Sequence, residues 1–169
     1  MKKILIPTDF SENADHALRY AQLLFETEPV SFVLFHAYQP SPLQLLGKSP
    51  YRVGQHYQIA QEKAQQQLDT ILQKIASYTD NDQHHYERLL KTGTLLEAIQ
   101  SISMESYDLI VMGSKGASGL KELIMGSNTY SVIKEITSLP ILVVPDQAKY
   151  ADLKKNSLCY QFHQTLRYV

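Results

Sequence analysis

The order of elements predicts an α/β fold in which a five-stranded parallel sheet is doubly wound, with helices on both faces, Rossmann-like. Three observations carry this prediction. Four short apolar runs, at residues 3–8, 31–36, 109–112 and 141–144, and a more polar one at 84–90 have the length of strands. Stretches with helical spacing separate them, and strands alternating with helices argue for parallel pairing. Glycine and proline fall mostly at or near the ends of these runs, Pro7 within the last two residues of the first.

Each element has a local reason. Residues 3–8 form an apolar run that Pro7 and Asp9 close. Ser11 is a natural N-cap with Glu12 in the first turn, and Ala14, Ala17, Leu18, Ala21, Leu24 and Phe25 follow at helical spacing. Pro29 ends that region and residues 31–36 give the second strand. Pro40, Pro42 and Pro50, with Gly47 between them, mark a long loop. A helix is expected over residues 55–78, with Ala60, Ala64, Leu68, Ile71, Leu72 and Ile75 on one face. Residues 84–90 are more polar, which suits a strand at a sheet edge. His84 and His85 then point to opposite faces and form no chelating pair. Thr94 and Glu97 fit a capping box, which places a helix over residues 94–105. Residues 109–112 are the fourth strand, residues 129–137 the next helix and residues 141–144 the last strand.

Composition narrows the function classes. The chain has 169 residues, 44% hydrophobic and 20% charged, enough for one domain with a sizeable core. No run approaches the ~20 apolar residues of a membrane span. Sixteen Lys+Arg against 17 Asp+Glu give a net charge of −1, so no global basic field favours nucleic acid. Cys159 is the one cysteine, which excludes an intrachain disulfide framework or a cysteine-rich zinc module. The opening apolar run is too short for a secretory leader, and a cytoplasmic setting is expected.

In such a fold, ligands bind outside the carboxyl ends of the strands, where the winding direction switches. Four of the seven glycines, Gly113, Gly116, Gly119 and Gly126, fall between residues 113 and 126, after one expected strand and before a helix. Glycine N–H groups and a helix N-terminus together suit a phosphate, and Lys115 and several serines add charge and hydroxyls. A tight loop that merely needs small residues is the plainer alternative. Other signatures fail. Gly47-Lys48-Ser49 ends like a P-loop, but residue 42 is proline where that motif needs glycine. G-x-G-x-x-G, G-x-S-x-G and H-E-x-x-H are absent.

What the chain does carry is G-x2-G-x9-G-[ST], from Gly113 and Gly116 to Gly126 and Ser127. With the opening KKILIPTDFSENADHALRYA, the segment YDLIVMGSKGASGL and the ending SVIKEITSLPILVVP, it resembles a universal stress protein over residues 1–146. The resemblance implies that strands one and four lie side by side. It also implies the ATP-binding subclass, with ATP, or ADP or AMP, accompanied by Mg or Mn on the phosphates. Carried over residue by residue, Thr8 and Asp9 lie beside the adenosine and Ala37 near the base. Val111 and Met112 lead into the site, and Gly113, Lys115, Gly116, Gly126 and Ser127 line the phosphates. It implies no protein metal ligands and a homodimer joined through the last strand, residues 141–144. The function expected is regulatory, with at most slow ATP hydrolysis. A non-nucleotide interaction module is the alternative, and a synthetase-type enzyme is disfavoured because Thr8-Asp9-Phe10-Ser11 stands where S-G-G-x-D-S is needed. Residues 147–169 fall outside the resemblance. They echo the opening in Lys154-Lys155 and Leu166-Arg167-Tyr168, as a truncated second repeat would.

Overall fold

The computed structural model describes residues 1–115 and 125–149. The strands are β1 (Lys2–Pro7), β2 (Val30–Tyr38), β3 (His84–Thr92), β4 (Leu109–Gly113) and β5 (Ile141–Val144), and all neighbours pair in parallel. The order is β3-β2-β1-β4-β5, so the chain winds outward from β1 in one direction and then from β4 in the other. β1 and β4 are neighbours, with Ile4 opposite Leu109 and Leu5 opposite Ile110.

The helices are α1 (Glu12–Leu24), α2 (Pro42–Leu45), α3 (Pro50–Tyr78), α4 (Leu95–Gln100) and α5 (Ser127–Glu135). Strand alternation divides the core in two. Ile4, Ile6, Phe32, Leu34 and Val111 pack beneath Leu18 and Ala21 of α1 and Leu68 and Ile75 of α3. Leu5, Val33, Phe35, Ile110 and Met112 pack beneath Ala98 and Ile99 of α4 and Val132 and Ile133 of α5. The central strands are apolar on both faces because helices cover both. The edge strand β3 instead alternates, with His84 buried and His85 exposed.

Several boundaries move from the sequence expectation. α3 begins at Pro50 rather than residue 55, because Ser49 is its N-cap and proline suits the first helical position. A turn of helix, α2, occupies part of the expected loop, closed by a capping box between Ser41 and Gln44. α4 stops at Gln100 instead of residue 105. Ser101 there turns its hydroxyl onto the Ala98 carbonyl, and a 3-10 turn, Met104–Ser106, follows. Each of β2 and β3 runs two residues further, Ala37 facing Lys91 and Tyr38 facing Thr92. Residues 116–124 and 150–169 lie outside the described residues, and with them Gly116, Gly119, Cys159 and all but the first three residues of the tail.

Candidate functional site

The carboxyl ends of β1, β2 and β4 open into a cavity of about 860 Å³ at the switch point. That volume falls in the range of roughly 300–1,000 Å³ that small-molecule sites occupy. Thr8, Asp9, Ala37, Met112, Gly113, Lys115, Gly126 and Ser127 all line it. Val111 does not; it is fully buried in the core beneath α1 and α3.

The turn after β1 is held by its own side chains. Thr8 N–H continues the ladder to the Phe35 carbonyl at 2.8 Å, and its Oγ1 accepts from the Phe10 N–H at 3.0 Å. Phe10 sits at φ 66°, a left-handed conformation that a bulky residue adopts only when its surroundings impose it. Asp9 Oδ1 accepts from the Ser11 N–H at 3.1 Å and the Ser11 hydroxyl at 2.5 Å. Ser11 Oγ in turn accepts from Ala14 N–H and caps α1. The exposed Asp9 carboxylate therefore shapes the turn as well as facing the cavity.

His36, at the end of β2, is half-buried against the same turn. Its Nδ1 is 2.7 Å from the Thr8 carbonyl, and its ring lies 4.4 Å from that of Phe10. Burial holds its pKa below the ordinary 6.5, while the Thr8 bond and the Asp9 charge pull the other way. Beyond it, Gly93 takes φ 112° and donates its N–H to the Tyr38 carbonyl at 3.1 Å, turning β3 into the capping box of α4.

The β4–α5 crossover is pinned at its base. Gly126 N–H donates to the Ser114 carbonyl at 2.8 Å, and Thr129 Oγ1 donates to the Gly113 carbonyl at 2.9 Å. α5 starts at Gly126 without a side-chain cap. The first N–H groups of a helix have no intrahelical acceptors, so this end offers donors and a positive dipole end to the cavity. A Cβ on Gly113 would lie 1.9 Å from Asn13 Oδ1, so glycine here lets α1 approach β4. Asn13 Oδ1 also accepts from the Lys115 N–H at 3.2 Å, while its buried Nδ2 has no partner among the described residues. The Lys115 ammonium pairs with Asp146 at 3.2 Å.

The amino-terminal part of α3 supplies a wall that sequence reasoning missed. His56, Ile59, Ala60, Lys63, Ala64 and Gln67 face the cavity. Their spacing of three and four residues was visible as a helix face. Which part of that face overhangs the sheet edge was not. Among the described residues, no group of three or more His, Cys, Asp or Glu could hold a metal ion, and no helix is long and apolar enough to cross a membrane.

This is a doubly wound α/β domain in which Gly113, Gly126 and an uncapped helix end border one cavity at the switch point. Residues 1–145 match the universal stress protein family, and the chain belongs to that family. It is 29% identical over 153 residues to universal stress protein MJ0577 of Methanocaldococcus jannaschii, a match covering 85% of this chain and 94% of that one. A Thermus aquaticus universal stress protein is 28% identical over 144 residues, covering 85% and 98%. The solved structure of MJ0577 superposes with a TM-score of 0.69 at 28% identity, over 88% of this chain and 98% of the other. An Arabidopsis thaliana family member solved with AMP bound shares the fold at a TM-score of 0.57 and 16% identity, over 88% and 94%.

Proposed function

We propose that this chain is a cytoplasmic ATP-binding regulatory protein of the stress response. The adenosine lies against the turn Thr8, Asp9 and the tip of β2 at Ala37. The phosphates lie along Gly113, Lys115, Gly116, Gly126 and Ser127, with Mg or Mn held chiefly by phosphate oxygens. One observation carries this reading. A cavity of nucleotide size gathers the two ends of the glycine motif, separated by the β4–α5 crossover, around an uncapped helix N-terminus. The plant family member with AMP lends support. The chemistry available is binding more than turnover. Among the described cavity residues Asp9 is the only carboxylate, and it already accepts from Ser11. Lys115 is paired with Asp146, so a phosphate must compete for it. β5 is a sheet edge, and pairing of two such edges gives a homodimer whose mass in solution is twice that of one chain.

A second reading, an interaction module that works without nucleotide, draws on Leu43, Leu46, Tyr51 and Ile59, all exposed on α2, α3 and their connection. One experiment separates the two. The purified protein is denatured and its supernatant resolved by ion exchange for adenine nucleotides. ATP with Mg²⁺ is then titrated into stripped protein and into Ser127→Glu. A carboxylate in the first turn of α5 suits the helix dipole but repels a polyphosphate. Micromolar ATP binding that falls at least tenfold in Ser127→Glu, with unchanged thermal unfolding, supports the nucleotide reading. Absence of adenine-nucleotide binding to wild type leaves the interaction module.

A further inference from the structure

The nucleotide reading leaves open what selects the base, and the hydrogen bonding of His36 answers it. The Thr8 carbonyl can only accept, so His36 Nδ1 must carry the proton in the bond between them. In the neutral ring Nε2 is then a lone-pair acceptor. Nε2 has no hydrogen-bond partner among the described residues, and His36 lines the cavity. The imidazole cannot turn to reverse these roles without giving up the Thr8 bond and its contact with the Phe10 ring, whose backbone is itself held at φ 66°. A fixed acceptor therefore stands one residue from Ala37, at the strand tip where the nucleotide reading places the base.

We propose that His36 Nε2 accepts a hydrogen bond from the exocyclic amino group of the purine and so selects adenine over bases that carry an oxygen there. This rests on the nucleotide reading and adds to it a specificity-determining residue. An oxo group opposite Nε2 would leave two acceptors facing each other, each without a donor, at a cost that corresponds to roughly a tenfold or greater loss in affinity. Burial keeps the ring neutral at pH 7, as an acceptor requires. Among the described residues, the charged and titratable groups around the same cavity are Asp9 after β1, Tyr38 at the end of β2, His56 and Lys63 on α3, and Lys115 after β4; α1 contributes only Ala14.

The test compares ATP with inosine triphosphate, in which oxygen replaces the amino group, on wild type and His36→Asn. The asparagine amide can still donate to the Thr8 carbonyl but has no atom at the position of Nε2. Wild type is expected to bind ATP about tenfold more tightly at pH 7.5. That preference should shrink once pH falls through the lowered pKa of the ring, somewhere below 6.5, because Nε2–H then donates to an oxo group instead. In His36→Asn the preference should be largely lost and its pH dependence absent. His85→Gln, at an exposed histidine near the amino end of β3 and outside the cavity, should keep both. A wild-type preference near one, or an undiminished preference in folded His36→Asn, would overturn the proposal while ATP binding itself stands. Failure of wild type to bind either nucleotide would remove the nucleotide reading and this proposal together.

Discussion

The two ends of the sheet treat their polar groups in opposite ways. At the amino end they are spent on the fold. Lys3 N–H donates to Asp108 at 2.7 Å, its ammonium meets Glu87 at 3.1 Å, and the buried Ser31 hydroxyl donates to the same carboxylate at 3.0 Å. Asn81 donates to the Glu26 carbonyl and His84 Nε2 to the Phe25 carbonyl, each at 2.9 Å. At the carboxyl end, capacity is held open. Phe10 is in the left-handed region, α5 has no side-chain cap, and Asn13 Nδ2 and His36 Nε2 have no partner among the described residues. Unmade hydrogen bonds and strained backbone lower stability, so a fold carries them where something else completes them. The contrast singles out the same end of the sheet as the cavity does.

The largest effect is expected where the two treatments meet, at Gly113. A Cβ there would meet Asn13 Oδ1 at 1.9 Å and the Asn13 backbone oxygen at 3.0 Å, and the backbone atom cannot step aside cheaply. Gly113→Val should cost about 3 kcal/mol in urea unfolding, at the upper end of overpacking. Loss of ATP binding in that variant would report the α1–β4 contact, not a phosphate contact. Gly113→Ala should cost less in an Asn13→Ala background than in wild type. Equal costs in the two backgrounds would show that the Asn13 side chain does not set the constraint.

The strands were legible in the sequence because β1, β2 and β4 are apolar on both faces, a pattern that needs no partner to be recognised. The helix after Ser11 was legible from one cap and an apolar stripe. Pro50 misled, since proline marks loops and first helical turns alike. The site was legible in parts. The glycine spacing pointed to a strand tip that borders the cavity, yet the partner that requires Gly113 is Asn13, one hundred residues earlier. The pairing of Lys115 with Asp146, and the cavity wall from α3, depend on where the crossovers set those elements. No local pattern encodes that.

Two histidines sharpen the comparison at smaller cost. His84 and His36 each approach a backbone carbonyl, of Phe25 and of Thr8. His84 is buried and meets Phe32 edge-on at 5.0 Å. His84→Ala should therefore cost about 2 kcal/mol through lost packing and an unpaired carbonyl, and leave ATP affinity unchanged. His36→Asn should do the reverse, losing affinity with a smaller change in unfolding. Equal effects on both properties at both sites would mean that the two ends are not specialised.

The smallest effect tests whether the amino end is scaffold alone. The hydrogen bond from Lys3 holds the Glu87 carboxyl below its ordinary 4.5; partial burial opposes this, and the Ser31 hydroxyl adds to the lowering. A carboxylate with a depressed folded-state pKa contributes stability that is present above 4.5 and is lost as pH falls through the lower value. The Glu87 side chain is 52% exposed, so solvent screens the pair and its contribution should stay below about 1 kcal/mol. The stability difference between wild type and Glu87→Gln should be greatest near neutral pH and vanish in acid. It should also shrink in about 1 M salt, where the screening length is near 3 Å. ATP affinity should be the same in both proteins, because Glu87 lies toward the amino end of β3, with Ser31 and Lys3, at the opposite end of the strands from the cavity. A change in affinity would show that the ends of the sheet communicate.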